Sequence, residues 1–132
     1  MTIVVPNTGE VRALTEWLTA GNLTLKLYSN DKTPAESDTA ANYTEVSGGG
    51  YSSKTLSSGS WSIASGDPTV ATYAYQDFSF TGATAAPGTI YGYFVVDASG
   101  ILVWAERFEA AVVPYTPSTG KLVRITPKIS VS

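Results

Sequence analysis

Asp97 and Glu106 are the two acidic residues whose placement most invites a chemical reading. They stand on the two arms of a hairpin-like unit, TIYGYFVVD (89–97) and ILVWAERF (101–108), joined by the turn Asp97-Ala98-Ser99-Gly100. A facing carboxylate pair runs glycoside hydrolysis when its surroundings split the two pKa values. Arg107 beside Glu106, and the turn position of Asp97, give both residues ordinary structural roles. Such ion pairs far outnumber acid–base dyads, so no catalytic residue is assigned. Asp31, Glu36 and Asp38 share one polar loop that carries oxygen ligands of the kind Ca²⁺ takes. The EF-hand spacing and its glycine are missing, and a structural cation needs six or more oxygens, so no metal site is expected. Gly48-Gly49-Gly50 lacks the Lys-Ser/Thr ending of a phosphate loop. The chain contains no histidine and no cysteine. The commonest acid–base group, the commonest transition-metal ligand and every disulfide are thereby removed. No cofactor is expected.

The remaining candidates are aromatic. Trp61, Trp104, Tyr73, Tyr75, Tyr91 and Tyr93 fall in strand-like runs. Exposed rings in a row stack on sugars or anchor a protein interface, and buried ones fill a core. Alternation puts Tyr91, Tyr93, Val95 and Asp97 on one face of their strand, with Ile90, Phe94 and Val96 on the other and a gap at Gly92. The Tyr side ends in Asp97, which marks it as the outward or interface face. In the partner arm, Ile101, Val103, Ala105 and Arg107 oppose Leu102, Trp104, Glu106 and Phe108. Both arms are apolar on both faces, more than one small domain with one helix is expected to cover. Contact with another chain, in a symmetric oligomer, is the expectation.

The elements that carry these residues read as a mainly antiparallel all-β domain, a sandwich, jelly roll or small barrel, with one short N-terminal helix. The helix is expected over Thr8–Ala20, with Thr8 as cap, Glu10 in the first turn, Val11, Leu14, Trp17 and Leu18 as its apolar face and Gly21 as the stop; a strand through Val11–Leu14 is the competing reading. Leu23, Leu25 and Leu27 alternate with Thr24, Lys26 and Tyr28, which is a strand with one buried face. Residues 35–44 are polar and weakly helical at best, and Gly48–Gly50 is a flexible break. Short strands follow in 51–56 and 61–64. In the run 69–80, Tyr73 and Tyr75 share one face and Phe78 and Phe80 the other. Residues 121–132 close the chain as a strand that Pro127 confines to an edge or a bulge.

At 132 residues this is one domain, 1–132, with 1–7 as an extended N-terminal arm. Thr2-Ile3-Val4-Val5 is β-competent; it either folds back on its own sheet or pairs with a neighbour's open edge. Only 14% of residues are charged, the net charge is −3, and the eight cations are scattered. Nucleic-acid binding by counterion release needs a basic cluster, so it is not expected. No stretch reaches the 18 apolar residues of a membrane span, and the first residues do not read as a signal peptide.

One resemblance bears on function. Leu25-Lys26-Leu27-Tyr28-Ser29-Asn30, Thr33-Pro34, Asp38-Thr39-Ala40, Tyr43-Thr44-Glu45, Gly50-Tyr51, Leu56, Trp61, Tyr91 to Asp97 and Leu102 to Phe108 occur in an order that resembles short β-rich proteins encoded among the structural genes of tailed bacteriophages. The likeness runs from about Leu23 to Val131 and is most distinctive at Trp104–Phe108. It implies a virion component without enzymatic activity: a capsid decoration (cement) protein on the shell surface, made in the host cytoplasm. Its partners would be the major capsid protein and copies of itself, a trimer by analogy. The alternative is a tail or fibre component, or a carbohydrate-binding module using Trp and Tyr. The contact residues expected on the decoration reading are Thr2, Ile3, Val4, Val5, Tyr91, Tyr93 and Trp104.

Overall fold

A computed structural model describes all residues from Met1 to Ser132. Helix α1 (Asn7–Thr19) is followed by nine strands: β1 (Leu23–Tyr28), β2 (Lys54–Leu56), β3 (Ser62–Ala64), β4 (Thr69–Thr72), β5 (Gln76–Ser79), β6 (Gly92–Val96), β7 (Leu102–Arg107), β8 (Leu122–Ile125) and β9 (Lys128–Val131). All pairings are antiparallel. They make three open sheets, β2-β1-β6-β7, β3-β4-β9 and β5-β8, and none closes into a barrel.

The two smaller sheets are one ribbon broken in the middle. β4 pairs with β9 and β5 with β8, and Tyr73 N–H donates to the Pro127 carbonyl between them at 2.9 Å. Thr72 faces Lys128 and Gln76 faces Ile125, so three residues on one side oppose two on the other. The extra residue and the missing Pro127 donor split both expected long strands. Tyr73 consequently turns inward while Tyr75 stays exposed, although alternation had put them on one face.

A single core of 15 buried residues draws on α1 (Leu14, Leu18), β1 (Leu23, Leu25, Leu27), β6 (Tyr93, Val95) and the broken ribbon (Ala71, Phe78, Ile125). The helix begins directly after Pro6 rather than at a Thr8 cap, and packs on β3 and β4. Its Glu10 is buried and accepts a hydrogen bond from Thr69 Oγ1 at 2.7 Å. A buried carboxylate needs such a partner.

The outer face of the four-stranded sheet holds a second core: Tyr28, Tyr43, Phe94 and Val96. Tyr43 stacks on Phe94 at 5.3 Å and meets the Tyr28 ring edge-on at 5.0 Å. Segment 29–46 delivers Tyr43 across the sheet. It is pinned at its ends by Ser29 N–H to the Thr44 carbonyl (2.8 Å) and Val46 N–H to the Leu27 carbonyl (3.0 Å). Asn30 bonds the backbone of Asn42 and Thr44 within it. For the first arm of the hairpin this corrects the expectation that the chain is unable to cover both faces, since all of β6 is buried inside the monomer; the second arm, β7, stays half-buried. The physical reason is a non-local one, a polar loop carrying one aromatic residue.

The gap at Gly92 is filled. Tyr28 lies opposite it in register, and a Cβ at residue 92 would sit 2.6 Å from the Tyr28 hydroxyl and 2.7 Å from its ring. Gly48, Gly49 and Gly50 are likewise not a flexible break. All three have positive φ, and the segment is tied to 81–85 by Thr81 N–H to the Gly49 carbonyl and Ala85 N–H to the Ser47 carbonyl. A side chain at 92 forces the sheet or Tyr28 to move, as overpacking does. Gly92→Ala is expected to lower stability by about 1–3 kcal/mol, read as a lower thermal midpoint by circular dichroism; an unchanged midpoint would contradict this packing.

Candidate interaction surface

The carboxylates singled out in the sequence do not converge on one site, and all but Glu36 are engaged separately. Asp97 Oδ1 accepts from the Ser99 and Ile101 N–H groups at 2.9 and 3.0 Å and so builds the hairpin turn. Glu106 Oε2 accepts from the Tyr93 hydroxyl at 2.7 Å. Glu106 lies opposite Tyr93 in the ladder, and Asp97 lies beyond the end of the strands, so the two do not form a pair. In the polar loop, Asp31 takes Arg107 at 2.7 Å and Asp38 takes Lys32 at 2.8 Å, while Glu36 is exposed. Asp38 also accepts from the Tyr43 hydroxyl (2.7 Å) and the Ala35 N–H (2.8 Å). These bonds from Lys32, Tyr43 and Ala35 hold its carboxyl below the usual range, against the upward pull of partial burial. Asp31 and Asp38, but not Glu36, therefore help to hold segment 29–46 over the second core.

The three expected aromatic contacts turn inward or sideways. Tyr93 is 6% exposed and belongs to the main core, so its face is the inner one and not the outward one. Tyr91 precedes the strand, packs against the second core and lies under the Arg107 guanidinium at 5.1 Å. Trp104 is half-buried, edge-on to Trp17 at 6.0 Å and to Trp61 at 6.3 Å. A bulge opposite Val95/Val96 also breaks the alternation expected in β7. Val103 and Trp104 both lean to the main core, whereas Leu102 and Ala105 pack on the second.

The arm behaves differently. Ile3 is 85% exposed, Val4 78% and Val5 53%, and Thr2 is exposed as well. Residues 1–5 make no backbone hydrogen bond; the first group to do so is the Pro6 carbonyl, which accepts from Gly9 and Glu10. Val5 alone is anchored, with its side chain over Gly9. The arm lies beside Asp67 and Ser132 without joining any sheet.

A second apolar surface was not foreseen. Phe108, Val112, Tyr115, Leu122 and Val123 line a cleft of about 330 Å³ whose rim carries Glu106, Glu109 and Arg124. A neighbouring hollow shares Glu106, Phe108 and Arg124 and reaches Tyr93 and Ile125 of the core. The cleft is lined by β8 and by the segment 108–115, with β7 reaching it only at Glu106; β7 and β8 are both edge strands, each with one neighbour. Arg124 is not a free cation there. It makes two bonds to Asp77 at 2.7 and 2.9 Å and lies 3.9 Å over the Tyr75 ring. The sequence signal for this surface was Val112-Val113, an apolar pair in a loop, together with Leu122, which sits on the outward side of its strand.

Comparison with protein-family models, with curated proteins and with solved structures finds no match to this chain.

The buried phenols make the folded state sensitive to alkali. Burial pushes the Tyr28 hydroxyl up to about 12 from an ordinary 10.0. Burial also raises Tyr43, Tyr51 and Tyr93, with added push from Asp38, Glu45 and Glu106 respectively. A group raised in the folded state contributes stability that is complete below its unfolded pKa and is lost as pH climbs toward the folded one. The chain is therefore expected to hold full stability up to pH 10 and to lose it between there and about 12. Spectrophotometric titration should show the exposed tyrosines ionising first and these four only with loss of the fold. Reversible ionisation of all eight tyrosines together, with the circular dichroism intact, would contradict it.

Proposed function

We propose that this chain is a structural protein of a tailed-bacteriophage virion, a decoration protein that acts by joining its apolar arm to another polypeptide. The observation that carries the reading is the arm. Ile3, Val4 and Val5 stand together in solvent as a contiguous apolar run, whereas the body's exposed large apolar residues, Trp17, Tyr75, Ile101, Val112 and Leu122, are separated along the chain. The resemblance of residues 23–131 to phage structural proteins supports the same reading from a different part of the chain.

Magnitudes say how such an arm works. Burying its three large side chains stabilises a contact by about 5–8 kcal/mol. Ordering residues 2–5 costs roughly 4–8 kcal/mol of backbone entropy. The two nearly cancel, so the arm holds firmly only where it also gains sheet hydrogen bonds or where many copies act together. A repetitive shell supplies the second condition. The low charge and Ser/Thr-rich surface suit close apposition to other subunits.

The sugar-binding alternative needs free ring faces. Of the two exposed large rings, Tyr75 gives its face to Arg124, and Trp17 is set against Trp104. We therefore favour a protein partner.

Deletion of residues 1–6 is expected to leave the circular dichroism nearly unchanged and to lower the thermal midpoint only modestly, because the only backbone hydrogen bonds it removes are those from Gly9 and Glu10 to the Pro6 carbonyl at the start of α1. The same deletion should abolish saturable binding to phage shells that lack the protein, measured by co-sedimentation. A truncated chain that saturates those shells like the intact one would overturn the proposal.

A further inference from the structure

We infer that the arm of one copy occupies the cleft between β7 and β8 of a second copy, and that two copies exchange arms reciprocally. The inference rests on the reading of the arm as an assembly element and names what receives it.

The arm and the cleft lack complementary things. Residues 1–5 are extended, mostly apolar and free of backbone hydrogen bonds. The cleft is apolar at Phe108, Val112 and Leu122, and β8, which supplies three of its lining residues, has one unpaired edge, as does β7, which reaches it at Glu106. Val112 and Leu122 are each 46% exposed, unusual for aliphatic residues beside a core. Adding a strand to an open edge satisfies the backbone of both partners, while alternate side chains fill the pocket. Residues 1–9 carry no charged side chain, so nothing on the arm is repelled by Glu106 and Glu109 at the rim.

The arm is seated away from its own cleft. The arm lies beside Ser132, at the end of β9, whereas the cleft is built from Leu122 and Val123 of β8. Nine extended residues separate Val123 from Ser132, and even a right-angled bend at Pro127 leaves them roughly 20 Å apart at strand rise. The four residues ahead of Val5 span at most about 14 Å. The cleft they fill belongs to another molecule.

Area decides between a pair and a ring. An unfolded chain exposes about 1.45 Å² per dalton, so a six-residue arm offers roughly 900 Å². Seating half of that buries roughly 900 Å² counting both surfaces, below the ~1,200 Å² of a stable specific contact. Reciprocal exchange doubles it to about 1,800 Å² across one two-fold interface. A three-membered ring leaves each pair joined by a single arm.

Sedimentation equilibrium of the intact chain tests this. A two-fold dimer is expected, with the chain lacking residues 1–6 monomeric at the same concentration. Leu122→Asp and, separately, Val112→Asp, both on exposed positions, should weaken association by at least about tenfold with unchanged circular dichroism. Mixing the truncated chain with Leu122→Asp restores one good arm and one good cleft, and should yield a weaker one-to-one pair. An intact chain that stays monomeric or forms a trimer overturns the inference, as do cleft variants that dimerise normally. If the monomeric chain still needs residues 1–6 to bind shells, the arm's partner is a shell subunit and the decoration reading survives. If the truncated chain binds shells normally, that reading falls as well.

Discussion

The central strands β1 and β6 are apolar on both faces, and covering both faces is the constraint around which the rest of the chain is arranged. On the inner side, helix α1 and the broken ribbon of β4/β5 and β8/β9 close over Leu25, Leu27, Tyr93 and Val95. On the outer side, a stack of three rings does the work of a third layer. The outer cover is one polar segment, tied to the sheet by Asp31 to Arg107 and by the Val46 N–H to the Leu27 carbonyl, and braced within itself by Asp38 to Lys32. Surface ion pairs contribute little by themselves. Here their use is positional: they hold the loop that carries Tyr43.

The same arrangement explains the use of glycine and tyrosine at the sheet centre. Tyr28 occupies the space above Gly92 and donates its hydroxyl to the Lys32 carbonyl at 3.0 Å, so the ring is buried and the polar end is satisfied. Tyr51 and Tyr93 follow the same rule with Glu45 and Glu106. Each of these phenols places a large apolar body inside and finds a partner for its oxygen, as buried tyrosines must. Two of the carboxylates that looked like chemistry in the sequence, Glu106 and Asp38, accept tyrosine hydroxyls in this way, from Tyr93 and Tyr43. Trp61 and Trp104 depart from the rule, since both indole N–H groups are buried without a partner.

With β6 covered on both faces from within and β7 left half-buried, the case for a partner moves to the periphery. It rests on the arm, which the body does not use, and on the cleft at the open edges of β7 and β8. Edge strands invite pairing unless they are blocked. Two of this chain's edges flank an apolar cleft, and its free arm is of the type that pairs with such edges.

Much of the local structure was legible in the sequence because it rests on short-range periodicity. The spacing of Leu14 and Leu18 marked the helix, the alternation of Leu23, Leu25 and Leu27 marked β1, and the Asp97–Gly100 turn marked the β6–β7 hairpin. The run Thr2–Val5 ahead of the breaker Pro6 was legible too, but whether it folds back onto its own sheet or extends was left open by the sequence. Periodicity reports which residues share a face; it carries no information about what lies against that face. The inward direction of Tyr93, the filling of Gly92 by Tyr28 and the covering of the outer face by Tyr43 depend on contacts between residues distant in sequence. So do the division at Pro127, where two ladders fall out of step, and the cleft, where loop 108–115 meets β8. The tertiary structure alone decided these, because burial is settled by whichever segment arrives to exclude water.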